Sequence, residues 1–301
     1  MTVSSCIGRI LALLMLAFAL TVTGGRLAAE EMKPDHTVLA AHPAVVALAS
    51  ALAEGTDIKV EAAVSARLPF TRWQSYFEGR GSRKLEQLAG EADAVIGLRS
   101  LWPQEPLFPL ARRVNFRILE IDAAAPLDHA LPGIALRAGT GMGHGPWWSP
   151  DNLGRMADII AADLARLSPG SAERIDDNLA SFRRRLLVAS VDVEMALLEL
   201  DQMAVISLSD RLSYLVSGLN LESVPFQAPQ ARSWGEDQIA ALVSTIRDSG
   251  VGAVLHHTSL PDDVHAAIVG AGASPVIIAP DGDSVVAQWR QAANAIIAAL
   301  K

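Results

Sequence analysis

The sequence predicts an α/β fold: two Rossmann-like lobes, each built on a parallel sheet, joined by a long linker helix. Three observations predict it. Short apolar runs alternate with helical patterns in both halves of the 301-residue chain, the grammar of parallel sheets covered on both faces. Between the halves, apolar residues keep helical spacing from Ser171 to Leu200, and about 30 residues at 1.5 Å each span roughly 45 Å, more than one lobe needs. Hydrophobic residues make up 50% of the chain and charged residues 19%, so there is enough apolar material to fill two medium cores.

Taken in order, residues 1–29 read as a secretory signal peptide: Arg9, an apolar run from Ile10 to Val22, then small residues up to Ala29. The run is short for a membrane span of about 20 residues. The N-terminal α/β lobe is expected over 30–168. In it, "HTVLAA" (36–41), "DIKVEAAV" (57–64), "DAVIGL" (93–98) and "FRILEI" (116–121) read as strands. The helices are "PAVVALASALAEG" (43–55), with Pro43 in its first turn and Gly55 as its stop, and "SRKLEQLAGEA" (82–92). A further helix over 151–168 is capped by Asp151 or Asn152, carries the stripe Leu153, Met156, Ile160, Leu164 and Leu167, and is broken by "SPG" (168–170).

The linker helix is expected over 169–200, with a break near Ser190 as the alternative. The C-terminal lobe, 201–301, repeats the first pattern. Its strands are "MAVISL" (203–208), "GAVLHH" (252–257) and "PVIIAP" (275–280). Its helices cover 236–250, 261–272 and 283–300.

Composition narrows the function classes. Cys6 is the only cysteine and precedes the apolar run, so the exported chain has no disulfide, thiolate nucleophile or cysteine metal ligand. Losing the two cations Arg9 and Arg26 with the leader takes the formal charge from −8 to −10, which argues against nucleic acid and anionic membranes as partners. There is no GxSxG elbow, and nothing singles out a catalytic base, so an enzyme is not expected. The glycine run "GTGMGHG" (139–145) is not a phosphate loop, because its third glycine is misplaced and no strand feeds it.

Two lobes, a connecting helix and export together point to a solute-binding protein. The successive stretches "TVLAAHPAVVALASALAEG", "KLEQLAGEADAVIGL", "PWWSPDNLGRMADIIAADLARLSP", "DNLASFRRRL" and "DRLSYLVSGLNL" sharpen this. Their order resembles the zinc- and manganese-binding proteins of metal ABC importers, the family of the high-affinity zinc uptake protein. The resemblance covers most of the chain after the leader. It implies a periplasmic monomer that hands zinc or another divalent transition metal to an ABC permease. It also implies little hinge motion and a metal held in the cleft between the lobes.

The sequence departs from the family at its ligand motifs. The family's "pH.y" histidine falls near Tyr76 and Phe77, its "HvWldP" appears as "GPWWSP" with Gly145 at the histidine position, and its "HDaFgY" appears as "SDRLSY" with Ser209 at the ligand position. His144 stands one residue before Gly145, and Asp281 falls where the family often has an acidic ligand. His42 and the pair His256–His257 follow apparent strands, and clefts of parallel sheets open at strand C-termini. The expected metal ligands are therefore His42, His144, His256, His257 and Asp281. Neighbouring strand residues point to opposite faces, so His256 and His257 serve one ion only if the chain bends. Singly, each of the five also fits an ordinary loop or turn role. Trp73, Trp147 and Trp148, beside the ligand motifs, can stack on an organic ligand. Two alternatives to a bare-metal carrier stay open: a divergent member that binds a metal chelate or small organic ligand, and a non-transporting partner protein that keeps only the fold.

Overall fold

The computed structural model describes residues 35–229, 234–279 and 284–301. The expected signal peptide and Asp281 lie outside these residues. Among the described residues, no helix is long and apolar enough to cross a membrane.

Two four-stranded parallel sheets carry the fold. The first runs in the order β2-β1-β3-β4, with β1 at His36–Ala40, β2 at Ile58–Ala62, β3 at Ala94–Gly97 and β4 at Leu119–Asp122. The second repeats that order as β6-β5-β7-β8, with β5 at Ala204–Ser207, β6 at Glu222–Ser223, β7 at Ala253–His256 and β8 at Ser274–Ile277. In each sheet the chain leaves the first strand in one direction and later returns on its other side. The strand order thus reverses between β1 and β3 and again between β5 and β7, and such switch points open a crevice at the strand C-termini.

Alternation along the strands builds the layers. On β5 and β7, Val205 and Leu255 join the large core that also contains Val38 and Ile96, whereas Ile206 and Val254 face a smaller cluster with Ile246, Val264 and Ile268. Helix α1 (Pro43–Leu52) starts on Pro43, as its fixed φ favours, and buries Val45, Leu48 and Leu52. Helices α2 (Trp73–Glu78), α3 (Ser82–Glu91) and α4 (Leu107–Val114) complete the first half.

Helix α5 (Pro150–Leu167) is capped by neither expected residue. Ser149 accepts the Asn152 N–H, and Asn152 is buried, with its side chain bridging Ala135 and Pro146. Helix α6 (Ala172–Leu197) runs unbroken for 26 residues, about 39 Å at 1.5 Å per residue, so there is no break at Ser190. It buries Ile175, Phe182, Leu186, Ala189, Val193 and Leu197 and packs on α5. In the second half, α7 (Ser213–Gly218), α8 (Glu236–Ser249) and α9 (Asp262–Gly270) precede α10 (Val285–Leu300). Helix α10 packs on β8 and α6 and also reaches α1, tying the chain's end to its first helix.

Three strands differ from expectation, the first being β6, whose two residues were not anticipated as a strand. The segment expected to begin a strand at Phe116 is a turn, because the Asn115 side chain donates to the Ala89 and Ala92 carbonyls and accepts the Arg117 N–H; Phe116 stays exposed and β4 begins at Leu119. Strand β8 is shorter than expected and includes Pro275, which is tolerated because β8 is an edge strand needing hydrogen bonds on one side only. Helices α2, α4 and α7, each eight residues or fewer, were not anticipated.

Candidate functional site

A cavity of about 270 Å³ lies where the two switch points face each other. Residues just beyond β1 (His42, Pro43), β2 (Ala66, Leu68, Pro69, Phe70), β5 (Arg211, Leu212), β7 (His257, Thr258) and β8 (Ile278) line it. The loop entering α5 and the first turn of α10 close it. Most of the wall is apolar or aromatic.

The aromatic rings are continuous. The His42 ring sits 4.1 Å from that of Trp147 and 6.4 Å from that of Trp73. Trp73 lies 5.8 Å from Trp102, which meets Phe70 at 5.5 Å edge-on. Trp73 is almost fully buried and donates its indole N–H to the Leu68 carbonyl at 3.0 Å, so it also fixes the loop after β2. A sharp turn sets the tryptophan pair in place. Gly145 has φ of +66°, and a Cβ there would meet the Trp148 ring at 2.6 Å and come closer still to the Arg211 carbonyl oxygen. Here glycine is needed both for its backbone angle and for the close approach.

His42 occupies the position before α1 but makes no side-chain cap; its ring turns inward instead. Burial lowers its pKa to about 3. His257 is half-buried, and its pKa is lowered to about 4, first by burial and then by the neighbouring charges of Arg211 and His256. Both imidazoles are therefore neutral near pH 7, the form that binds a metal. The Nδ1 atoms of His42 and His257 are buried without a hydrogen-bond partner, as is the Nε1 of Trp289, and all three residues line the cavity. Buried polar atoms normally find partners, so orphaned imidazole nitrogens on two residues of one cavity are an argument for a bound ligand.

The structure brings together His42, His257, Trp73, Trp147 and Trp148. It does not bring His144 or His256 to the wall. The His144 ring folds back on its own loop, its Nδ1 accepting the Gly141 N–H at 3.1 Å, and only its neighbours Gly143 and Gly145 reach the cavity. The His256 Nδ1 is taken up by Thr258, 2.7 Å from its carbonyl oxygen and 3.1 Å from its amide nitrogen. Strand β7 ends at His256 and the chain bends at His257, so strand alternation does not hold the two rings on opposite faces; they lie 4.7 Å apart, yet only His257 reaches the wall. Among the described residues, no three histidine, cysteine or carboxylate side chains converge as a metal site, so the four expected histidines do not meet at one point, and Asp281 lies outside the described residues. The family positions at Tyr76, Phe77 and Ser209 are off the wall as well, and the Ser209 hydroxyl instead accepts the Arg211 N–H.

Sequence reasoning missed Arg211, Phe70, Trp102 and Trp289. Arg211 is the one charged side chain on the wall among the described residues, its guanidinium 5.7 Å from the Phe70 ring centroid. Its position two residues after Ser209 was the only signal, since an arginine is not a cation ligand.

Comparison with known proteins agrees with this layout. The family model described as zinc-uptake complex component A, periplasmic, matches residues 128–286. No curated protein matches the sequence. Among solved structures, the crystal structure of ZnuA superposes with a TM-score of 0.66 at 20% identity, over 88% of this chain and 99% of that one. A manganese-bound mutant of the periplasmic metal-binding protein from Candidatus Liberibacter asiaticus gives 0.66 at 15% identity, over 88% and 100%. An FpvC mutant from Pseudomonas aeruginosa gives 0.69 at 17% identity, over 88% and 98%. At such identities the likeness to these structures is one of fold. Together with the matched family model, the paired parallel sheets, the long helix and the cavity at their facing switch points identify a non-enzymatic solute-binding protein: the chain belongs to the family of periplasmic metal-binding components of ABC importers, the zinc-uptake component A family.

Proposed function

We propose that this protein is the periplasmic binding component of an ABC importer and that its cargo is a divalent transition metal, zinc among the candidates, carried as a small complex rather than as a bare ion. One observation carries this reading. The cavity is lined by two neutral imidazoles whose Nδ1 atoms have no partner, on a mostly apolar wall, and no third metal-ligating side chain joins them among the described residues. A dication needs more donors than that to replace its water, and an apolar wall supplies none. A chelating partner fills the remaining coordination positions and presents apolar surface to Trp73, Trp147 and Phe70. The volume equals that of about nine waters at roughly 30 Å³ each, enough for such a complex.

A bare-ion site made of His42, His257 and Asp281 is the second reading. It draws on Ile278 lining the cavity three residues before Asp281 in the sequence.

Native mass spectrometry of the periplasmic protein, purified without chelators, tests the first reading. The expected result is a bound mass exceeding that of any single metal ion, with the metal identified by elemental analysis. A bound mass equal to the metal alone, together with a zinc-induced melting shift that Asp281→Ala abolishes, supports the second reading and refutes the first. A partner protein without cargo gives neither mass nor shift.

A further inference from the structure

We infer that the organic part of the cargo carries a carboxylate and that Arg211 is the residue that reads it. This rests on the metal-complex reading above and adds the charge of the ligand. A site for a bare dication gains from carboxylates that offset its charge. Here the wall has none among the described residues, and its single charge is positive. Arg211 sits in the turn immediately after β5, at the switch point of the second sheet, and its guanidinium carbon lies over the Phe70 ring, 5.7 Å from the centroid. A guanidinium held over an aromatic face keeps its N–H fork for a planar anion. Among the described residues, no carboxylate lies within ion-pair distance of Arg211, and only its backbone N–H is hydrogen-bonded, to Ser209.

Trp289 lines the cavity with its buried indole. A mostly apolar wall with an unpaired guanidinium calls for oxygens on the ligand. The imidazoles of His42 and His257 take the metal, and the guanidinium takes the carboxylate. Arg211 is close enough to His257 for its charge to act on that ring, so both ends of one small anionic chelate are served together. A bare dication or a cationic amine complex meets Arg211 with nothing to offset it.

Two tripodal nickel complexes separate these cases. Nickel nitrilotriacetate is anionic and carboxylate-bearing, nickel tris(2-aminoethyl)amine is cationic, and each leaves two adjacent coordination positions open for imidazoles. Calorimetric titration of the chain freed of its leader is expected to show the nitrilotriacetate complex binding at least about tenfold more tightly. In Arg211→Gln that ratio is expected to fall to near one, and Arg211→Lys, which keeps the charge but not the fork, restores part of it. Equal affinity of the wild type for both complexes, or a preference that survives Arg211→Gln in a variant of normal melting temperature, overturns the inference and leaves the metal-complex reading standing. A wild-type protein that binds neither complex refutes both.

Discussion

Glu105 is a buried carboxyl whose ionisation state should be visible in the protein's stability. It is 1% exposed, one oxygen accepts the Leu98 N–H at 2.5 Å, and the other has no partner. Burial raises its pKa from 4.5 to about 7; the nearby Asp122 and Glu120 push the same way, while the Leu98 N–H and Arg99 oppose. The folded protein therefore holds this proton between pH 4.5 and 7, where the unfolded chain has released it. Stability from this group is fully present below 4.5 and is lost as pH rises to about 7. A shift of about two and a half units at 1.36 kcal/mol each corresponds to a loss of about 3 kcal/mol. His42 and His257 work in the opposite sense. Their lowered pKa values give stability that is present above 6.5 and lost as pH falls, so the wild-type profile alone mixes the terms. Glu105→Gln isolates one of them, because glutamine mimics the protonated acid at every pH. Urea unfolding of both proteins at pH 4.5 and pH 8 should show the variant gaining about 3 kcal/mol on the wild type as pH rises. A difference that stays constant across that range would refute the claim that Glu105 is ionised against its surroundings.

Other perturbations follow from the same geometry. Gly97→Ala puts a Cβ 2.6 Å from the Glu105 carboxylate, which its bond to Leu98 holds in place; a loss of about 1–3 kcal/mol is expected in urea unfolding. Gly145→Ala combines a left-handed backbone with contact on the Arg211 carbonyl and the Trp148 ring. It should cost at least about 2 kcal/mol and weaken cargo binding by deforming the wall, and calorimetry should show both. The Asp57 carboxylate accepts hydrogen bonds from Ser168 at 2.7 Å and Ser171 at 2.6 Å, tying the entry to β2 to the junction of α5 and α6. Asp57→Ala should lower stability by about 1 kcal/mol at pH 7. The two serines hold the Asp57 pKa below its usual value, so this contribution should vanish as the solution is acidified below pH 4.

How much of the site could be read beforehand depended on range in the sequence. His42 and His257 were legible because strand C-termini in parallel sheets line clefts, and both follow strands. The tryptophans were legible by their place beside the departed motifs. His144 was not, because the direction of its ring is set by a local hydrogen bond to Gly141 that competes with the cavity for it. Arg211 was passed over because a search for metal ligands looks for acids and imidazoles, and an arginine becomes informative only once it is seen unpaired beside Phe70. The short helix α2 was missed for want of enough turns to show a period, yet it carries Trp73.

The sequence by itself determined the architecture. Apolar runs of strand length between helices of period 3.6 leave a parallel, two-faced sheet as the way to bury them, and the apolar stripe between the halves allowed one long helix or two broken near Ser190, of which the structure has the single helix. Both are local patterns, repeated often enough to average out the noise of single residues. Only the tertiary structure decided the site. It set which of several histidines share a cavity, left the Nδ1 atoms of His42 and His257 without partners, and put an arginine on the same wall. Those outcomes depend on side-chain directions from segments more than a hundred residues apart, and spacing along the chain does not encode a direction in space.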